Sequence, residues 1–282
     1  MQPLTDNHLH DLVERGFIIL EDVIDEATCR KGVEEMEKVL KPWSEVKDDP
    51  PAELNKFTTW PSPSLWLNRF VITNDVLVDF AQRYLQTEHI QLRTGTPFVR
   101  YPGCVSFTEV TDGRNSIHID NINNSLLPAC DDHIFGQVQF WCHLQEVGPE
   151  QAPLLLWPHG DQERDYEKAV KLSVPAGSMG IFTNYTYHSA SPFTATEGQR
   201  YIWGGQFGRA DHYWEGFRHY TDKATDPHFQ ALVSSLTPRQ REMLRFPPAG
   251  HRYYTEETLQ KLEERYPGFD ATGAYRKMIG SA

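Results

Sequence analysis

Apolar residues recur at two different periods along the chain, and the change of period divides it into three stretches. Near the N-terminus Leu9, Leu12 and Val13 share one helical face, with Thr5 or Asp6 placed to cap the first turn and Gly16 to end the last. Phe17–Leu20 is a short apolar run that reads as a strand. Asp25 is placed to cap a second helix, in which Val33, Met36 and Leu40 recur at spacings of three and four before Pro42 stops it. Residues 43–68 are rich in Pro and Trp and read as an ordered loop, and Val71–Leu85 reads as a helix.

From residue 89 the texture changes to short runs of Val, Ile, Phe, Tyr and Thr broken by Gly, Pro and Asn. The predicted strands are Ile90–Tyr101, Ser116–Ile122, Phe135–Leu144, Leu154–Trp157, Ala169–Val174, Ser178–Thr183 and Arg200–Phe207. Many short strands without long helices between them predict a closed or double-sheet β architecture such as a jelly roll. After residue 210 helical texture returns. Thr237-Pro238-Arg239-Gln240 is a capping-box start with proline at the first helical position. Thr255 begins another helix with Leu259 and Leu262, which stops before Pro267. No linker interrupts this order. The expectation is a mostly β single domain over 1–282, with N-terminal helical support over 5–88, a jelly-roll core over 89–209 and a C-terminal helical extension over 210–282.

Composition narrows the function classes. The 282 residues include 39% apolar residues, ample for a core and too many for a disordered chain. No apolar run approaches the ~20 residues that span a bilayer, so no membrane partner is expected. The first residues carry neither a basic start nor an apolar stretch, so no export signal is visible. Cys29, Cys104, Cys130 and Cys142 are scattered and read as reduced thiols, which suits the cytoplasm. A formal net charge of -12 without any dense Lys/Arg cluster disfavours nucleic acid. A small-molecule substrate and a monomer or homodimer remain.

The candidate chemistry lies in His118-Ile119-Asp120, His188 and Arg200. On a strand, residues i and i+2 share a face, so His118 and Asp120 project together. Two imidazoles and a carboxylate hold a ferrous ion on one side and leave the other open. An arginine on the strand after the second histidine is where such a site would clamp a dicarboxylate. The same donors serve zinc, which leaves a metal-dependent hydrolase or isomerase as the alternative, and it would not need Arg200. With 12 histidines, about one His-x-Asp arises by chance. A second one, His159-Gly160-Asp161, follows Pro158 and reads as a turn whose side chains need not converge. Gln137, Gln139 and Trp141 share one strand face, either lining a cavity and touching substrate or solvated. Asn115, Asn121, Asn123 and Asn124 flank the metal pair as turn formers or substrate contacts. Trp214, Phe217, Arg218 and Tyr220 either cover the barrel mouth or pack a helix.

Further residues carry a family resemblance. Val174-Pro175-Ala176-Gly177-Ser178 is followed by Tyr187-His188-Ser189-Ala190-Ser191-Pro192 and by Glu197-Gly198-Gln199-Arg200-Tyr201. Together with His118-Ile119-Asp120, and with Trp141, Leu144 and Pro158-His159 between, this resembles the phytanoyl-CoA dioxygenase-like branch of the iron(II)/2-oxoglutarate-dependent oxygenases. The likeness covers residues 5–210, and Leu236-Thr237-Pro238 to Tyr266-Pro267-Gly268 more loosely resembles the tails of bacterial members. It implies a double-stranded β-helix, the cupin-like relative of the jelly roll. It also implies His118, Asp120 and His188 as iron ligands, Arg200 on the distal carboxylate of 2-oxoglutarate, and dioxygen as the other co-substrate. The implied reaction is hydroxylation of an unactivated C–H bond, with release of succinate and carbon dioxide. Asp120 stands where a halogenase would need a small residue to admit chloride. An intact ligand set argues against a non-catalytic ligand-binding relative.

Three departures stand out. Arg200 follows His188 one residue later than the family spacing implies. Ala190 occupies the usual Ser/Thr position, so Ser191 is the substitute for contacting the co-substrate. Arg100-Tyr101-Pro102-Gly103 resembles the family's Lys-Pro-Gly segment, and either Arg100 or Tyr101 could reach the co-substrate.

Overall fold

The computed structural model describes residues 1–104, 117–121, 125–215 and 223–279. Ser116 and Ile122, the ends of one predicted strand, lie outside the described residues, as do Asn115, Asn123, Asn124, Phe217, Arg218 and Tyr220.

The strands in chain order are β1 (Phe17–Leu20), β2 (Asn55–Phe57), β3 (Ile90–Thr94), β4 (Phe98–Arg100), β5 (Val138–His143), β6 (Leu154–Leu156), β7 (Val170–Lys171), β8 (Ser178–Thr183), β9 (His188–Ala190) and β10 (Arg200–Arg209). They form two antiparallel sheets. The larger runs β1-β8-β5-β10-β4-β2, with β3 also paired to β10, and the smaller runs β7-β6-β9. These are the two layers of a jelly roll.

Strand alternation sends the side chains of the larger sheet to two different cores. On one face Phe17 and Phe182 pack with Leu154, Leu156 and Leu172 of the region around the smaller sheet, and Ile19 and Trp141 join them. This is the space between the layers. On the other face Phe140, Ile181, Trp203 and Phe207 pack under the helices, in a cluster that runs from Leu4 to Tyr275. Gln139, Trp141 and His143 therefore face inward, because Phe140 and Cys142 between them face the helices.

The helices cover the outer face. Thr5 accepts a hydrogen bond from His8 N to cap α1 (Asp6–Arg15), and Gly16 closes it at φ 82° in the left-handed region. Asp25 caps α2 (Glu26–Glu37). The stretch read as a loop over 43–68 instead holds α3 (Trp43–Val46), β2 and the start of α4 (Leu65–Thr73). The helix predicted over Val71–Leu85 is divided. Asn74 leaves helical geometry and its side chain caps α5 (Asp75–Leu85) by accepting from Val76 N and Leu77 N. The strand predicted over Ile90–Tyr101 is also divided, around Pro97, which has no N–H to give a ladder. Past the sheets come α6 (Pro227–Ser235), α7 (Pro238–Glu242) with its Thr237 capping box, and α8 (Glu256–Arg265) capped by Thr255. No described helix is long and apolar enough to cross a membrane.

Entry to β8 depends on Gly177. Its φ is +84°, and a Cβ there would lie 2.6 Å from the Ile24 carbonyl oxygen. The Gly177 carbonyl meanwhile accepts from Val23 N and Ile24 N at 3.0 and 2.9 Å. Gly177→Ala is expected to destabilise the fold by ~1–3 kcal/mol, since an L-residue is strained there and meets backbone that cannot move aside. Urea unfolding checks it, and an unchanged midpoint would contradict this account of the turn.

Candidate metal centre

Two segments far apart in sequence meet through one hydrogen-bonded pair. His118 forms an isolated antiparallel bridge with His188 at the edge of the smaller sheet. His118 N donates to His188 O at 3.1 Å and His188 N donates to His118 O at 2.9 Å. Residues that exchange both bonds send their side chains to the same face, about 5.5 Å apart at Cα. The two rings accordingly lie with centroids 4.4 Å apart. Asp120, two residues on, returns to that face.

Asp120 Oδ1 is 3.9 Å from His118 Nε2 and 3.7 Å from His188 Nε2. One ligand atom from each residue lies within 4.8 Å of the others, which is the spacing of a group able to hold a metal ion. Bonds of ~2.1 Å to a common ion would draw the donors to roughly 3 to 3.5 Å of one another, so a small closure completes the site.

Neighbouring groups orient two of the three. His188 Nδ1 lies 2.9 Å from the Thr186 carbonyl oxygen. That contact places the proton on Nδ1 and leaves the Nε2 lone pair toward Asp120. Burial pushes the His188 pKa down and the His118 ring adds to this, against the pull of Asp120. The neutral ring that a metal requires is thereby favoured. Gln139 Nε2 donates to Asp120 Oδ2, which holds the carboxylate so that Oδ1 faces the histidines. Gln139 thus braces Asp120, the carboxylate of the candidate metal group.

Asn121 and Gln137, expected to contact substrate, are both held by protein partners. Asn121 N donates to Asn184 O at 2.9 Å, its Oδ1 accepts from Asn184 Nδ2 at 3.1 Å, and its Nδ2 donates to Leu127 O at 3.0 Å. The side chain anchors the segment that carries His118 and Asp120. Gln137 is fully buried and bonds Glu215, itself held by Arg93 with Nε–Oε2 at 2.9 Å. Trp141 lies on the inward face between Gln139 and His143, with ring centroids 5.6 Å from Phe98 and 5.3 Å from Phe182.

Arg200 opens β10 opposite Arg100 of β4, and both are buried. Arg200 Nη1 donates to Ala152 O, while Nε and Nη2 make no hydrogen bond. Burial drives the Arg200 pKa far down, and the neighbouring Arg100 charge adds to it. A buried guanidinium with open N–H groups, such as that of Arg200, is costly without an anion. Ser191 Oγ donates to Pro153 O, so it pins the loop that Arg200 bonds and does not offer its hydrogen to a ligand. Tyr101 alternates to the face opposite Arg100 and joins the core under the helices, with its hydroxyl 2.5 Å from Lys41 O.

The second His-x-Asp does not converge. Asp161 Oδ1 accepts from Glu163 N and Arg164 N at 3.1 Å, a turn-stabilising arrangement, while His159 packs over Gly16. Both line a separate cleft of about 460 Å³ beside Tyr185 and Tyr187. Trp214 stacks on His212 at 4.4 Å, and its carbonyl accepts from Leu126 N at 3.1 Å. Sequence reasoning missed Thr186, which acts through its backbone and leaves no side-chain signal. It also missed His143, although the inward series Gln137, Gln139, Trp141 continues to it at the same period of two.

No protein-family model matches the sequence, and no curated protein matches it. Solved structures do. HygX from Streptomyces hygroscopicus, with nickel and 2-oxoglutarate bound, superposes with a TM-score of 0.54 at 14% identity, over 74% of this chain and 89% of that one. The non-heme alpha-ketoglutarate-dependent carbocyclase SnoK from nogalamycin biosynthesis gives 0.53 at 17% identity, over 75% and 88%. EvdO2 from Micromonospora carbonacea var. aurantiaca gives 0.53 at 14% identity, over 76% and 97%. The chain shares its fold with 2-oxoglutarate-dependent non-haem iron enzymes.

Loss of a ligand or of its brace should separate in metal titrations. Asp120→Ala and His188→Ala are expected to abolish stoichiometric binding of ferrous iron under anaerobic conditions. Gln139→Leu is expected to keep the site but weaken it about 10- to 100-fold, the usual effect of removing a group that orients a ligand. Unchanged iron affinity in Gln139→Leu would show that the Asp120 contact has no orienting role.

Proposed function

We propose that the protein is an iron(II)- and 2-oxoglutarate-dependent oxygenase that hydroxylates an unactivated C–H bond of a small-molecule metabolite, with release of succinate and carbon dioxide. One observation carries this: an open-faced His118, Asp120, His188 cluster shares its barrel with a buried arginine whose Nε and Nη2 have no hydrogen-bond partner among the described residues. When bound, ferrous iron supplies oxygen activation coupled to oxidative decarboxylation of the keto acid.

The chain's own groups do the positioning. His118 and His188 present Nε2 atoms, and Asp120 presents Oδ1, to one point, while the remaining side of that point carries none of these three donors. Thr186 O and Gln139 Nε2 hold two of them in that pose. Arg200 offers two parallel N–H groups in the planar fork that matches a carboxylate. Trp141, Phe182 and Phe17 line the space between the sheets with apolar surface, which excludes water from the reacting groups. Asp120 fills the position that would have to be vacated for a chloride.

A metal-dependent hydrolase on the same barrel would have no use for Arg200, and its burial beside Arg100 would be a cost without return. The solved neighbours include a carbocyclase and an epimerase, SnoN from nogalamycin biosynthesis. Those outcomes use the same co-substrate, and hydroxylation is the outcome that asks least of substrate placement. HygX has also been solved with hygromycin B bound, which supports a small metabolite as the substrate class.

Anaerobic addition of ferrous iron and 2-oxoglutarate should produce a visible charge-transfer absorption, and admission of oxygen should yield succinate. His188→Ala is expected to form none above background, and Arg200→Ala to raise the 2-oxoglutarate KM at least about tenfold. Full succinate formation by His188→Ala would refute the ligand assignment.

A further inference from the structure

Among the described residues, Arg200, His143 and Ser178 are inner-face side chains with buried polar atoms left without a hydrogen bond. Arg200 Nε and Nη2, both ring nitrogens of His143, and Ser178 Oγ make no hydrogen bond. Arg200 is 2% exposed, and His143 and Ser178 are 0% exposed. Register makes them neighbours. His143 lies opposite Ser178 in the β5–β8 ladder. Cys142 lies opposite Trp203 in the β5–β10 ladder, which puts His143 one diagonal step from Arg200 on the same face.

An isolated unmatched donor can be a packing defect, but each buried one costs as much as a lost hydrogen bond. Unmatched donors on neighbouring strands, one of them beside a buried cation, describe a socket for an anion. Burial, and then the Arg200 charge, push His143 down to about 3, so its ring is neutral. A neutral ring sits beside a guanidinium without repulsion and still donates one N–H.

We propose that His143, supported by Ser178, completes the socket of Arg200 by donating an N–H to the distal carboxylate of the 2-oxo dicarboxylate, and so sets the preference for that co-substrate over 2-oxo monocarboxylates. The assignment rests on the co-substrate reading above and adds to it a specificity-determining residue. Arg200 supplies the charge and two N–H groups. His143 supplies a directional donor from β5, and the Ser178 hydroxyl supplies another from β8. A monocarboxylate would leave all of these unmatched and would bind more weakly through its keto-acid end alone.

Calorimetric titration of the anaerobic ferrous protein with two ligands tests this: 2-oxoglutarate, and 2-oxobutyrate, which keeps the keto-acid end and lacks the distal carboxylate. His143→Phe is expected to weaken 2-oxoglutarate about tenfold, equivalent to ~1.4 kcal/mol, and to leave 2-oxobutyrate unchanged. His143→Gln retains an N–H donor and should recover most of the loss. Ser178→Ala, a smaller change that decides the matter if His143→Phe does not fold, should lose about threefold with the same selectivity. Equal loss for both ligands, or no loss for either, overturns the assignment. A wild-type protein that binds neither keto acid overturns the co-substrate reading itself, and the role of His143 with it.

Discussion

One reciprocal pair of backbone hydrogen bonds, between His118 and His188, is the constraint on which the site depends. It joins a strand-like segment to the edge of the smaller sheet and fixes both imidazoles on one side. Strand alternation then returns Asp120 to that side without further instruction. Because the pairing is set by backbone, the geometry does not rely on the side chains finding one another. A slip of one residue would turn either histidine to the opposite face and dissolve the cluster. The Asn121–Asn184 amide exchange, just beyond Asp120, locks that register from the other end.

The inner face is polar where a ligand would lie and apolar elsewhere. Phe17, Leu154, Leu156 and Phe182 close the space between the sheets, whereas Gln139, His143 and Arg200 interrupt it. Such interruptions lower the stability of a barrel that has to bury them. Gln139 is repaid within the protein by Asp120. Among the described residues Arg200 has a single acceptor, the Ala152 carbonyl, and His143 has no hydrogen-bond partner. Arg200, His143 and Ser178 lie toward one end of β5 and His118, Asp120 and His188 approach the other, with Trp141 between them.

Much of the fold was legible because local signals agreed with the global one. Ser178–Thr183 is a strand with the predicted limits, and Thr5, Asp25, Thr237 and Thr255 cap helices as their chemistry suggested. Errors arose where one residue acts against its surroundings. Asn74 breaks an apolar pattern that reads as one continuous helix. The Pro- and Trp-rich stretch over 43–68 conceals short elements too small for periodicity to register. At the site, the convergence of His118, Asp120 and His188 was anticipated from strand alternation and family likeness. The duties of the surrounding polar residues were not. Tyr101, Gln137 and Asn121 are of the right type to touch a ligand, yet each is already held by a protein partner, and sequence does not reveal which amides and hydroxyls are spent.

A crystal structure of the anaerobic protein with ferrous iron and 2-oxoglutarate is the most direct test of the central claim. The account predicts an ion bonded by His118 Nε2, His188 Nε2 and one Asp120 oxygen, with the keto acid completing the shell and its distal carboxylate on the Arg200 fork. An ion held elsewhere, or an Arg200 fork still bare with the keto acid bound, would contradict it.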